Sequence, residues 1–326
     1  MEFRTPISFD TSWQKISLNK PIFTLGSCFS DVIGEKLQQH KFQVLTNPFG
    51  VVFNPISLHK LIRQSIDNQM FNQELLIENQ QRFFHYDFHS EVNAGVGEEL
   101  IRKIQNLLKQ SHNFLQQTQY LIITYGTAFV YQLLDNQLIV NNCHKQSAKL
   151  FQKRLLSTEE IVIDFAQMYE IIKVNFPQIN ILLTVSPVRH IKDTLPLNSV
   201  SKAILRYACH QIITQFPEIY YFPSYEIMMD DLRDYRFYKA DMIHPNEMAE
   251  EYIWRQFTQQ LLDDNTQKFI QNWQKIRQAL NHRPFHPQSI AHQKFLQNTL
   301  NELERLAQQV DVKQEINFIH NQIINQ

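Results

Sequence analysis

Three short runs of nearly unbroken apolar residues limit what this chain can become: Pro21-Ile22-Phe23-Thr24-Leu25, Tyr120-Leu121-Ile122-Ile123-Thr124 and Ile179 to Val185. Their length and their β-branched and aromatic content suit strands buried on both faces. Each run ends in a turn signal, at Gly26, at Tyr125-Gly126-Thr127 and at Ser186-Pro187, and a helical period comes before the next run, after a hairpin in the second case. Strands that recur with helices between them need crossover connections, so the order predicts a parallel α/β sheet with helices on both faces. In such sheets ligands bind outside the carboxyl ends of the strands.

At 326 residues the chain exceeds a typical single domain, and we expect one large α/β domain over 1–262 with a helical C-terminal extension over 263–326. A hydrophobic content of 43%, with 24 Phe and 12 Tyr, supplies a sizeable core. With 31 basic and 32 acidic residues the net charge is −1, so nothing draws the protein to nucleic acid or to an anionic membrane surface. The expected partner is a small molecule. Cys28, Cys143 and Cys209 lie far apart with no CxxC pair, which argues against a disulfide framework and a structural zinc site. The start, MEFRTPISFDTSW, is polar, and no run approaches the ~20 apolar residues of a membrane span, so a cytoplasmic location is expected.

Pro21 to Asp31 reads as a strand, a tight turn at Gly26 and the start of a helix over Asp31 to Lys41, capped by Ser30 or Asp31. Ser27 and Cys28 then sit where a strand ends and a helix begins, and helix-start amides favour a thiolate or an oxyanion. Phe42 to Thr46 is the second strand, and Asn47 to Pro55, with two prolines and Gly50, a structured loop. Phe71 to Val92 reads as an extended or hairpin insertion, Gly97 to Thr118 as a helix, and Ala128 to Leu134 with Gln137 to Val140 as a hairpin. Ser157-Thr158-Glu159-Glu160 opens a capped helix, Ser201 to Phe216 is helical, and Ile219 to Pro223 is a short strand. Pro245, read as a first helical position, puts His244 at the amino end of the helix Glu247 to Leu262. The Gln- and Asn-rich tail has helical periods over Phe269 to Leu280 and Gln293 to Ile323, which predicts a helical hairpin. Its aliphatic spacing suits either homo-oligomerisation or an intramolecular lid.

Seven motifs occur in order: GSCF (Gly26–Phe29), NPFGVVFNP (Asn47–Pro55), TYGTAFVY (Thr124–Tyr131), NNCHK (Asn141–Lys145), SPVRH (Ser186–His190), SKA (Ser201–Ala203) and DMIHP (Asp241–Pro245). Together they resemble the GSCFA-domain family, a distant relative of the SGNH, or GDSL-like, hydrolases, over roughly residues 20 to 260. The resemblance implies a three-layer flavodoxin-like fold, a nucleophile in the first block and an Asp-x-x-His pair near the domain end. It also implies esterase or acyltransferase activity on an acyl ester, by analogy a carbohydrate or glycan ester. It implies no metal and no organic cofactor.

Aligning Gly26 with the glycine of the family's G-D-S block puts Cys28 at the nucleophile position, with Ser27 as second choice. Asp241 and His244 match the pair that orients the base and takes the nucleophile's proton. A free thiol titrates near ~8.5, and a helix start with an imidazolium beside it would make Cys28 a thiolate at neutral pH. The family's oxyanion hole joins backbone N–H groups, here Gly26 to Cys28 and Gly50, with an asparagine side chain. Ala128 stands where that asparagine would be, and losing one such donor costs ~2.7–4 kcal/mol. Thr127 beside Gly126, Asn54, or Asn142 with His144 are the candidate replacements. Arg189 either recognises an anionic substrate group or pairs with a carboxylate across a loop, the commoner outcome. His190 is a further candidate, and Lys202 reads as a helix-start residue, because neighbours on a helix point apart. The rival function is a non-catalytic carbohydrate- or protein-binding module on the same fold. Ala128 argues for it, and the Asp241 and His244 pair argues against it.

Overall fold

The computed structural model describes residues 5–9, 13–67 and 71–324. The first four residues of the polar start and the last two of the tail lie outside the described residues. The chain opens with β1 (Ile22–Gly26), α1 (Cys28–Gln39), β2 (Val44–Thr46) and α2 (Pro55–Asp67). An inserted hairpin, β3 (Leu76–Asn79) and β4 (Arg82–His85), precedes α3 (Gly97–Gln117) and β5 (Tyr120–Tyr125). A second insertion, β6 (Phe129–Leu133), β7 (Ile139–Val140) and β8 (Phe151–Leu155), leads to α4 (Thr158–Asn175) and β9 (Asn180–Val185). Then come α5 (Leu195–Gln215), β10 (Tyr220–Tyr221) and the short α6 (Ser224–Glu226). Four helices close the chain: α7 (Glu247–Leu261), α8 (Asp264–Leu280), α9 (Ile290–Leu306) and α10 (Lys313–His320).

Five strands form a parallel sheet in the order β10-β9-β5-β1-β2. Counted within the sheet alone, this is the flavodoxin-like order 2-1-3-4-5, whose switch point falls between β1 and β5. Side chains alternate across each strand. Phe23, Leu25, Leu121, Ile123 and Leu183 face a core shared with α2, α3, α4 and α5. Ile22, Ile122 and Leu182 face a second core shared with α1, α7, α8 and α9. Helices therefore cover both faces, as the apolar runs predict. Among the described residues, no helix is long and apolar enough to cross a membrane.

Several boundaries differ from the sequence reading for local reasons. Ser27, and not Ser30 or Asp31, caps α1, because Gly26 (φ 145°) turns the chain at once. α5 begins six residues early, capped by Thr194. Pro245 stands before the cap Asn246, so it is not the first helical residue of α7. β8 is an additional strand, polar in sequence and paired antiparallel with β6. The tail is three helices, with a break over 307–312. Leu306 and Val312 reach the same core, yet six residues on one continuous helix would turn them about 120° apart.

The tail meets the far end of α1. Trp273 donates its indole N–H to Gln39 O at 2.7 Å, and Lys41 pairs with Glu315 at 2.6 Å. Gln39 lies about 16 Å along the helix from Cys28, so α8 is no lid over Cys28. The apolar stripe of Ile270, Trp273, Ile276, Leu300 and Leu303 is buried within its own chain.

Candidate active site

Gly26 ends β1 beside the switch point. Any Cβ there would collide with Thr124 O and Ser30 Oγ. Its N–H donates to Asn47 Oδ1 (2.8 Å), Asn47 Nδ2 donates to Asp31 Oδ1 (2.6 Å), and Gly26 O accepts from Val52 N–H (2.9 Å). The second motif is thus stitched to the nucleophile turn. Ser27 is buried at 1% exposure, and its hydroxyl accepts the Phe29 N–H as helix cap. Cys28, the first residue of α1, is half-buried. Burial pushes its thiol up, its own amide offsets part of this, and Asp31 one turn on adds to the rise. The expectation of a thiolate at neutral pH therefore fails: desolvation and a carboxylate outweigh the helix start. Cys28 presents a thiol that needs a base.

Asp241 and His244 are brought together. His244 Nδ1 lies 2.7 Å from Asp241 Oδ2, while Asp241 Oδ1 accepts the N–H groups of Ile243 (2.8 Å) and His244 (3.0 Å). The backbone N–H of His244, that of Ile243, and then the imidazole hold the carboxyl down at about 2. Met242, at φ 58°, closes the turn. Nε2 has no hydrogen bond among the described residues, so the imidazole is oriented with one nitrogen open. The loop is anchored beyond β9, where Arg189 N–H donates to Ile243 O (3.2 Å). β1 and β9 flank β5, so strand spacing sets their carboxyl ends about 10 Å apart. No hydrogen bond joins His244 to Ser27 or Cys28 among the described residues.

The candidate oxyanion donors are mostly engaged. Gly50 (φ 73°) carries the His89 ring against its α-carbon and donates its N–H to Asn47 O (2.8 Å). The N–H groups of Gly126 and Thr127 both donate to Phe53 O, at 2.8 and 3.0 Å. Thr127 Oγ1 accepts the Phe129 N–H and meets Ser201 Oγ at 3.0 Å. Asn54 caps α2 through Ser57. Asn142 donates to Ser90 Oγ and accepts the His144 N–H, while His144 stacks on Phe84 in the seam between the two insertions. Cys28 N–H, at the helix start, is the family-position donor that bonds to no other residue among the described residues.

Two residues at the β5 and β9 ends have unusual surroundings. His190 lies over Gly126, edge-on to Phe53 at 5.4 Å, with Nε2 buried and unbonded. Burial first, then Lys202 and His244, pull its imidazole down to about 3, so it stays neutral. Lys202 is 1% exposed, and its ammonium donates to Gly126 O (2.8 Å) and Ser186 O (2.7 Å). Burial pulls it down to about 7. Its neighbour Ser201 accepts the Ala128 N–H at 2.8 Å. Lys202 is no helix-start surface residue; the two side chains together clamp the third motif. The signal is present in the sequence, since Lys202 falls on the helical period of Asn198, Leu205, Cys209 and Ile212, all buried. Nothing in the sequence signals that His89 would cover Gly50, because that depends on how the first insertion folds back.

Arg189 makes no ion pair with a carboxylate among the described residues, against the commoner expectation, and lies instead over the Tyr238 ring at 4.0 Å. Among the described residues no group of three or more His, Cys, Asp or Glu side chains is placed to hold a metal.

The model of the GSCFA family matches residues 21–257, and that of the GSCFA domain protein, C-terminal domain, matches residues 273–325. No curated protein matches the sequence. Among solved structures, the chain is similar to one from Streptococcus pneumonia provisionally described as a platelet activating factor. Identity is 10% and the TM-score 0.39, covering 74% of this chain and 84% of that one. A likeness this weak carries no argument about activity.

Proposed function

We propose, from the premise that this chain belongs to the GSCFA family, that it is an acyl-ester hydrolase or acyltransferase with Cys28 as nucleophile and His244 as base. The observation that carries this is the Asp241 and His244 pair, with one imidazole nitrogen held on a carboxylate and the other open. Such a pair does little for stability at an exposed loop but suits proton transfer. Exposure supports Cys28 over Ser27, whose hydroxyl is buried as a cap.

The Cys28 thiol gives its proton to His244 Nε2 as sulfur attacks the ester carbonyl. The carbonyl oxygen then takes the charge near the Cys28 N–H. Collapse forms a thioester and releases the alcohol, which carries away that proton. Water or a second alcohol, deprotonated by His244, attacks the thioester and restores the thiol. For this chemistry His244 has to come within reach of Cys28 in the substrate complex, where catalytic contacts tighten. A carbohydrate ester is the favoured substrate class.

A non-catalytic carbohydrate- or protein-binding module is the second reading, favoured by the engaged N–H groups of Gly50, Gly126 and Thr127 together with Ala128. The test is intact-mass labelling by iodoacetamide and by a fluorophosphonate on wild type, Cys28→Ala, Ser27→Ala and His244→Ala, scored against p-nitrophenyl acetate turnover. Turnover that vanishes with Cys28→Ala and falls with His244→Ala supports the enzyme. Fluorophosphonate labelling of Ser27 moves the nucleophile by one residue. Turnover equal in all four proteins favours the binding module.

A further inference from the structure

We propose that the wall beside His244 is an anion-binding subsite, in which Arg189 receives a carboxylate or phosphate carried by the ester substrate; this rests on the esterase reading above. Arg189 is half-buried, yet no carboxylate pairs with it among the described residues. Three other partly buried arginines of this chain are paired, Arg63 with Asp164, Arg154 with Glu160 and Arg206 with Glu226, while Arg277, like Arg189, has no ion pair among the described residues. The carboxylate next to it in the loop, Asp241, already has both oxygens engaged by Ile243 and His244.

The guanidinium is also held in place. It lies over the rings of Tyr238 (4.0 Å) and Tyr235 (5.3 Å), and Nη1 reaches Met242 O at 3.5 Å. Stacking uses the face of the cation; of its in-plane N–H groups one reaches Met242 O and one meets the Tyr238 hydroxyl, and the others can still bind a carboxylate or phosphate. A side chain already fixed loses little entropy when an anion arrives. Position completes the argument. Arg189 precedes His190 in the chain, and its main-chain N–H binds the loop that carries His244. An anion on the guanidinium therefore tethers its ester a few atoms from the open Nε2. The exposed ring of Tyr235, beside the cation, offers an apolar face for the carbon skeleton between anion and ester.

The test compares kcat/KM for mono-p-nitrophenyl succinate, an anionic ester, with that for neutral p-nitrophenyl butyrate. In wild type the ratio should favour the anionic ester by about tenfold or more and fall as NaCl is raised. In Arg189→Gln the ratio should collapse towards one, and in Arg189→Lys, which keeps the charge but not the fork, it should lie between. Titration of the full chain with succinate and, separately, inorganic phosphate by calorimetry gives a readout without turnover and separates the two anion sources. Binding to wild type that weakens at least tenfold in Arg189→Gln supports the subsite even if neither ester turns over, an outcome that would sink the esterase reading alone. An ester ratio unchanged by both substitutions, or anion binding equal in wild type and Arg189→Gln, overturns the subsite. Should Arg189→Gln not fold, the salt dependence in wild type and the Arg189→Lys ratio decide the matter.

Discussion

Replacing Lys202 by methionine tests whether a buried ammonium really titrates near neutrality at the edge of the sheet. Lys202 is 1% exposed, and its hydrogen-bond partners are the two carbonyls of Gly126 and Ser186. Burial brings its pKa from the ordinary 10.5 to about 7. In the unfolded chain the amine keeps its proton to about 10.4. Between those values the unfolded state binds more protons than the folded one, so stability rises with pH across this window, by up to ~1.36 kcal/mol per unit. Integrated from pH 7 to pH 9, the gain is about 2 kcal/mol. Below pH 7 both states are protonated and the slope vanishes. Methionine has similar length and no charge, so the variant lacks this term. Urea denaturation followed by tryptophan fluorescence at pH 6, 7, 8 and 9 gives the difference in unfolding free energy at each pH, and groups common to both proteins cancel. We expect that difference to move by about 2 kcal/mol in favour of wild type between pH 7 and pH 9. A difference that stays flat to pH 9 would refute the reasoning and mean that the two carbonyls keep the ammonium charged against desolvation. The variant also leaves both carbonyls without their donor, at about 1–3 kcal/mol each if they stay dry. Turnover should fall with the loosening of the third motif.

Because burial and Asp31 raise the Cys28 thiol above 9.0, iodoacetamide should alkylate it slowly at pH 7 and faster as pH passes 9. A rate already at its plateau at pH 7 would show a thiolate. Asp241→Asn removes the acceptor that orients His244 Nδ1, and should lower kcat by about 10²- to 10⁴-fold with an unchanged circular dichroism spectrum; a loss under threefold excludes the orienting role. Trp273→Ala should cost ~3–5 kcal/mol in urea denaturation without changing the Cys28 alkylation rate, since α8 meets the opposite end of α1. A changed rate would couple the tail to the site.

The sheet is legible in the sequence because a strand buried on both faces must be apolar at nearly every position, as β1, β5 and β9 are. Interactions that close within one turn are legible too. Ser157 and Glu160 form the reciprocal cap their spacing promises, and Asp241 meets His244 because the backbone N–H groups of Ile243 and His244 fold onto its carboxylate. The sequence by itself thus determines the layers, the edge where a ligand would sit, and the acid and base candidates. Only the tertiary structure decides which donors are open and which charges are dry. The Gly50 N–H is taken by Asn47, the Gly126 and Thr127 N–H groups by Phe53, and Lys202 by carbonyls just past the ends of two different strands. Whether Cys28 is thiol or thiolate likewise turns on how deeply the folded chain buries it beside Asp31. Spacing in sequence reports contacts a few residues apart, whereas desolvation and hydrogen-bond satisfaction depend on groups that become neighbours only when distant segments pack.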